Sequence, residues 1–396
     1  MDYKLRIIGL AMIGLIVISG AYIVLSNFSG GNEVAPPSSI TTTDTTVTTT
    51  EIVASTSTKQ QQNEGVKRII PLDRIRSGGP PKDGIPSIDN PKFVDPNEAD
   101  FLSNDDVVVG VNYNGIVKAY PLQILVWHEI VNDMFGDTPL VITYCPLCYS
   151  SITFIRVLNG QTVEFGTSGR LYNSDLVMYD RQPGNNQLTV YWRDLTDAGN
   201  LWSQMLGQAL VGELAAHKLT RIPTDVLLWK DWLRLHPDTI VLSRDTGFLR
   251  NYGTDPYEGY FDSPTIWFPV EHSDDRLFEK EVIYGIEYEG KLKAYPVQYV
   301  DENDVVNDIF QNRGIFLLKV GDKAIRGFES NVDGERLTFE IKDGQIIDQE
   351  TTSVWDEHGR AIEGPLKGTM LKRVQNGHIA FWFAWVAFYP MTEVFE

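Results

Sequence analysis

VVVGVNYNGIVKAYPLQILVWHEIVNDMF, residues 107–135, aligns without a gap on VIYGIEYEGKLKAYPVQYVDENDVVNDIF, residues 282–310, with 13 identities in 29 positions at an offset of 175. Chance does not produce that. Working outward, Gly212, Leu214, Leu219 and Arg221 match Gly364, Leu366, Leu371 and Arg373, and Trp229, Trp232 and Pro237 match Trp382, Trp385 and Pro390. The offset has fallen from 175 to 152 or 153, so the second copy has lost some 22 residues in its middle. The globular part therefore reads as two copies of one unit, a first repeat over residues 95–245 and a shorter one over 276–396, with 246–275 connecting them.

Each copy has the same coarse plan. The run VVVGVNYNGIVKAY alternates and breaks at Asn114-Gly115, a strong hairpin signal, with Glu289-Gly290 in the second copy. Pro121 suits the first residue of a helix, and Leu122, Leu125, Val126, Glu129, Ile130 and Asp133 recur at helical spacing, which predicts a helix through this stretch. β-rich segments follow in both copies, and each copy closes on WxxWxxxxP, read as a short helix with both Trp on one face. The expectation is an α+β fold, mainly antiparallel β, with the two copies packed around a pseudo-twofold axis.

Ahead of the repeats, residues 7–25 are 19 uncharged, mostly apolar positions preceded by Lys4 and Arg6. That length can cross a bilayer, and the cations place the short N-terminal side in the cytoplasm. Residues 1–26 are thus read as a transmembrane signal anchor, with a cleaved signal peptide as the alternative. Residues 27–65 read as a Thr/Ser-rich disordered stalk, too poor in large apolar residues to fold, and 66–94 as a linker. The expected location is a single-pass protein of the cell membrane with its C-terminal part outside the cytoplasm. A formal net charge of −19 excludes a general nucleic-acid binder, and two cysteines exclude a disulfide-stapled scaffold.

Duplication supplies an internal control: features held in both copies serve the fold, and features of one copy are candidates for function. KAYP, VND and WxxWxxxxP occur in both. The first copy alone carries Trp127-His128-Glu129, the segment TYCPLCYSS over 143–151, most of FGTSGRLYNSDLVMYDR over 165–181, and LWSQ over 201–204.

Cys145 and Cys148 admit three readings. A strand-like segment follows them, which favours a metal knuckle over the helix-borne dithiol of an oxidoreductase; a plain disulfide is the third. One knuckle is half a site, and the first copy offers His128, His217 and His236, plus Glu129, Asp175 and Met178, to complete it. Thiolates with an imidazole and a thioether would suit copper, and Cys2His with a carboxylate or water would suit zinc. His128 is taken as the third ligand. HEIVN is not a zinc-protease HExxH, because Asn132 occupies the second ligand position. Glu129 and Asp180 are candidate catalytic carboxylates, and Ser168, Arg170, Asn173, Ser174 and Gln204 are candidate substrate contacts. GTSG is neither a phosphate loop nor a GxSxG nucleophile elbow.

At TYCPLC, with WHEIVND, FGTSGRLYNSDLVMYDR, LWSQ and the terminal FWFAWVAFYP, the chain resembles the domain-of-unknown-function family 3179, from about Asp95 to the C-terminus. The resemblance implies a shared fold and site and no particular reaction. It marks His128, Glu129, Cys145, Pro146, Cys148, Ser168, Gly169, Asn173, Ser174, Tyr179, Asp180, Trp202 and Gln204 as motif positions. The reading is a membrane-anchored extracytoplasmic protein with a copper, zinc or redox site in its first repeat. Its alternatives are a metal-free thiol-disulfide oxidoreductase and a non-catalytic module binding a glycan or protein. Besides the membrane, its expected partner is an extracytoplasmic protein, a glycan or a small molecule.

Overall fold

The computed structural model describes residues 66–181, 199–322 and 324–396. Among the described residues antiparallel sheet dominates, with four short α-helices, and no helix is long and apolar enough to cross a membrane. The anchor and stalk expected over 1–65 lie outside the described residues.

The stretch whose sequence recurs begins with a hairpin, β2 (Val107–Tyr113) and β3 (Ile116–Pro121), after a short edge strand β1 (Arg76–Ser77). Asn114 and Gly115 both have positive φ, 52° and 79°, which is the turn that lets right-twisted strands close on two residues. In the second half β12 (Val282–Tyr288) and β13 (Lys291–Pro296) close the same way on Glu289 and Gly290.

The predicted helix is shorter than its spacing suggested. Helix α1 covers only Leu122–Leu125, and β4 (Ile130–Phe135) follows. Glu129 sits at φ 58°, which ends the helix, and β-branched Ile130 and Val131 then enter a sheet. Residues Ile130 and Asp133 matched the helical period by coincidence. In the second half α3 (Val297–Asn303) likewise stops at Asp304, φ 61°, before β14 (Val305–Phe310).

The motifs common to both halves have packing roles. Lys118 of KAYP pairs with buried Asp133 at 2.9 Å while Tyr120 donates to the same carboxylate at 2.6 Å. Lys293, Tyr295 and Asp308 repeat this at 2.6 and 2.8 Å. Asn132 of VND clamps the backbone of Phe165 with two hydrogen bonds, and Asn307 clamps Phe339 in the same way. Each buried charge is thereby paired and each strand fixed in register.

A three-stranded meander follows: β5 (Thr138–Cys145) and β6 (Ser150–Ile155) after β4, and β15 (Arg313–Val320) and β16 (Ala324–Glu329) after β14. Then come a hairpin, β7 (Phe165–Tyr172) with β8 (Asp175–Asp180), and strands β9 (Leu201–Ser203) and β10 (Gln208–Val211). The later hairpin is β17 (Phe339–Lys342) with β18 (Gln345–Asp348), flanked by β19 (Val354–Trp355).

Each WxxW helix covers its own ribbon and the other half's sheet. Helix α2 (Trp229–Leu235), entered from β11 (Asp225–Leu228), buries Trp229 and Trp232 among Val108, Phe316, Phe328 and Phe339. Helix α4 (Trp382–Phe388), entered from β20 (Gly377–Phe381), buries Trp382 and Trp385 among Ile283, Val141, Phe154 and Cys148. The two Trp share a face, as the spacing required. A Cβ on Gly110 would come within 2.3 Å of the Trp232 ring, and one on Gly285 within 2.3 Å of Trp385, so only glycine lets the rings lie on the ribbons.

Candidate metal centre and cleft

The first half differs from the second at two hairpin tips. From Phe165↔Asp180 to Tyr172↔Asp175 the β7–β8 hairpin makes six pairs and carries an irregularity at Ser168-Gly169, whereas β17–β18 makes four. The extra length carries the turn Asn173-Ser174 to the CPLC turn between β5 and β6. The γ-sulfurs of Cys145 and Cys148 and a carboxylate oxygen of Asp175 lie within 4.8 Å of one another, all buried. This group could hold a metal ion. Both cysteines are free thiols, which is not the disulfide considered as a third reading.

The surroundings are electrically unusual. The nearest accepting groups to the sulfurs are the Ser174 carbonyl, 3.5 Å from Cys148 and 3.9 Å from Cys145, and Asp175 at 4.0 Å. Burial pushes both thiols up, and Asp175 and Glu129 push them further. Asp175 accepts from Ser203 Oγ at 2.9 Å and Met205 N at 3.0 Å, yet burial holds its carboxyl up at about 7. Ser174 Oγ is buried without a hydrogen-bond partner at the same turn. Three acidic groups share a buried site, and a divalent ion would supply the charge that favours their ionised forms.

Expected ligand His128 is placed elsewhere. Its Nδ1 lies 2.7 Å from the Pro86 carbonyl, which can only accept, so Nδ1 carries the proton. Nε2 then accepts from Tyr252 Oη at 2.7 Å, and Tyr252 Oη accepts from Thr246 Oγ1 at 2.6 Å. Both ring nitrogens are engaged, and burial lowers the imidazole to about 4, so His128 is neutral and outside the thiol cluster. It pins the 246–275 connection to the helix-to-strand turn.

Glu129 fits a chemical role better. It lines a cleft of about 520 Å³ together with Cys145. Tyr257 donates to its Oε1 at 3.1 Å, and burial nonetheless raises its carboxyl to about 7. Asp180 is structural instead: it accepts from Asn200 N and Nδ2 at 2.8 Å each and from Trp202 Nε1 at 2.9 Å. Asp348 accepts from Trp355 Nε1 at 2.8 Å in the same way in the second half, away from the thiol cluster.

The expected substrate contacts divide similarly. Ser168 donates to the Val177 carbonyl and accepts from Arg170 N, closing the irregularity in β7. Asn173 joins its hairpin tip to Ala387 O at 2.9 Å and Glu271 N at 3.0 Å. Gln204 holds Thr143 Oγ1 and Ser150 at the base of the CPLC turn. Gln204 and Asn173 thus brace the two turns that meet at the sulfurs, and Ser168 braces β7. Only Arg170 lines the cleft itself.

Two segments read as linkers build the walls. Residues 66–94 contribute β1, which pairs with β7, and place Pro80 and Ile85 against the cleft, and residues 246–275 contribute Arg250, Tyr257, Trp267 and Phe268. Arg181 ties Asp83 and Asp89 back to the end of β8. The second half supports the site from behind: Phe381 N donates to Cys148 O at 2.8 Å, and the Phe381 ring stacks on Tyr149 at 5.3 Å.

A family model described as a protein of unknown function, DUF3179, matches residues 82–392. The chain belongs to this family. No curated protein and no solved structure matches it. The DUF3179 match takes in both hairpin tips, Glu129, the 246–275 wall and nearly all of the second half, while β1 and the cleft-lining Gly78 and Pro80 lie ahead of it.

The raised carboxyl of Asp175 sets the sign of a pH effect. The unfolded chain releases this proton near 3.8 and the metal-free fold near 7, so the fold binds more protons in between and loses this contribution as pH rises through that window. Asp175→Asn, which cannot titrate, is therefore expected to gain stability relative to the metal-free parent from pH 4 to 7, read as the difference between their melting curves. A constant difference across that range would contradict the buried neutral acid.

Proposed function

We propose that this chain is a membrane-anchored extracytoplasmic protein whose first half holds one metal ion on Cys145, Cys148 and Asp175, facing the cleft past Cys145 and Glu129. The observation that carries the reading is the convergence of three ligand atoms within 4.8 Å from two hairpin tips that the second half lacks in this form. Two thiolates and a carboxylate suit zinc better than copper, which would favour a thioether or imidazole in the carboxylate's place. Three protein ligands leave a fourth position for water or substrate, the pattern of catalytic rather than structural zinc. Glu129, with a carboxyl near neutrality at the cleft floor, is suited to take up or release a proton there.

The metal-free dithiol reading is weaker. A reactive dithiol needs a depressed thiol pKa, and here burial and two carboxyls push both thiols the other way. Extracytoplasmic placement rests on the apolar run at 7–25 and its preceding cations. We also infer that the halves arose by duplication of one unit. The matched Lys–Asp–Tyr groups, the Asn clamps and the reciprocal WxxW packing support this.

Cobalt titration tests the metal site. The chelator-treated protein is expected to take up one Co2+ with an intense thiolate-to-metal absorption band and visible bands of tetrahedral strength. Cys148→Ser is expected to lose the thiolate band by more than half. A six-coordinate spectrum without thiolate absorption would overturn the reading.

A further inference from the structure

We propose that the cleft beside the thiol cluster binds a small amphipathic anion, a ring-bearing carboxylate whose apolar body lies along the aromatic walls and whose carboxylate meets Arg250 at the mouth. The inference rests on the proposed function only for what the buried end of the cleft does; the binding itself follows from the walls.

A volume of about 520 Å³ falls within the range of small-molecule sites, roughly 300–1000 Å³. The walls are Trp127, Tyr257, Trp267 and Phe268, with Leu171 and Leu176. Their rings are already ordered: Trp127 Nε1 donates to Thr254 O at 3.1 Å, and Tyr257 and Trp267 stack at 6.0 Å with planes 20° apart. Pre-ordered aromatic faces favour a flat ring, because offset stacking gains energy without further loss of side-chain freedom.

Charge selects the head group. The chain carries a formal net charge of −19, yet the charged residues lining this cleft are Arg170, Arg250 and the buried Glu129. Arg250 is exposed and sits 6.0 Å from the Trp127 ring, which places a guanidinium at the entrance. Charges beyond about 8–10 Å are screened at moderate salt, so an anion at the mouth responds most to the charges that line it. A guanidinium also matches a carboxylate with two parallel hydrogen bonds. With the head at the mouth, the far end of the ligand faces Cys145 and Glu129, both nearly closed to solvent.

The test is calorimetric titration of the full chain in detergent, after chelation, with naphthalene-2-carboxylate and with naphthalene-2-carboxamide, which differ in charge and little in shape. The carboxylate is expected to bind at least about tenfold more tightly. Arg250→Gln should shrink that preference to about threefold or less, and Trp267→Ala should weaken both probes by about tenfold. Both variants change exposed side chains, and because Trp267 also packs on buried Tyr260 at 4.7 Å, near-ultraviolet circular dichroism of Trp267→Ala must match the parent before its binding is read. Equal binding of the two probes, no binding of either at millimolar concentration, or a preference unchanged in Arg250→Gln would each overturn the proposal. The same titration on Cys148→Ser separates it from the metal reading. Carboxylate binding retained in Cys148→Ser shows that the cleft works without the ion, and a parent that binds the carboxylate but takes up no Co2+ leaves the cleft standing and removes the metal. Stoichiometric metal with no carboxylate binding does the reverse.

Discussion

Asp225→Ala will lower the unfolding free energy by about 3–5 kcal/mol, the cost of leaving buried charge without its partner. Asp225, at the start of β11, is paired with Arg326 at 2.7 Å and with Arg373 at 2.7 Å, both from the second half of the chain. Burial alone would raise its carboxyl, but the two guanidiniums overcome that and hold it well below the usual carboxylate range. Its contribution is therefore present above the unfolded carboxyl's ordinary range near 4 and is lost only as pH falls toward the depressed folded value. Deleting the carboxylate strands Arg326, 3 % exposed, beside Arg373, whose Nε already lacks a partner. Denaturant unfolding at pH 7 measures the effect, and a loss below about 1 kcal/mol would mean that the pair is surface-like and does not tie the halves together.

Trp232→Ala is expected to cost a similar amount, about 3–5 kcal/mol, through the cavity left by a fully buried ring. The ring fills the space over Gly110 and donates to Thr239 Oγ1 at 2.9 Å, so its removal exposes the ribbon backbone and takes a donor from a buried hydroxyl. Gly110 cannot compensate by itself. The double variant Trp232→Ala/Gly110→Val should recover part of the loss, since the new side chain occupies the vacated ring position. Thermal and denaturant unfolding of the single and double variants check this, and a double variant worse than the sum of the singles would show that the ring does not lie where the glycine requires it.

Much of this architecture could be read in the chain because its local and tertiary demands agree. Asn114-Gly115 closes a hairpin because two positive φ values suit those residues, and the Trp pairs lie three apart because one helical face is buried. The helix through residue 133 failed where two periods overlapped: Ile130 and Asp133 fit a helix in spacing, while their side chains are needed in the sheet core and in the pair with Lys118. The site was legible in part. The CPLC turn and the long hairpin stand out because the matching stretches of the second half lack them, and Asp175 is among the ligands that the sequence offers.

Choosing Asp175 over His128 required three dimensions. No spacing rule joins residues 148 and 175, and the partners that engage His128, the Pro86 carbonyl and Tyr252, come from segments that read as connections. Tyr257, which holds Glu129, was missed for the same reason. The one available signal was the hairpin's extra length relative to its second-half counterpart, which marks its tip as built to reach something.

The central claim is that Cys145, Cys148 and Asp175 hold an ion. Elemental analysis of the full chain, purified anaerobically without a histidine tag, beside the Cys145→Ser/Cys148→Ser variant, tests it most directly. The account predicts close to one zinc per chain in the parent, less than about a tenth of that in the variant, and a native fold in both by near-ultraviolet circular dichroism. No metal in a folded parent, or equal metal in parent and variant, would contradict it.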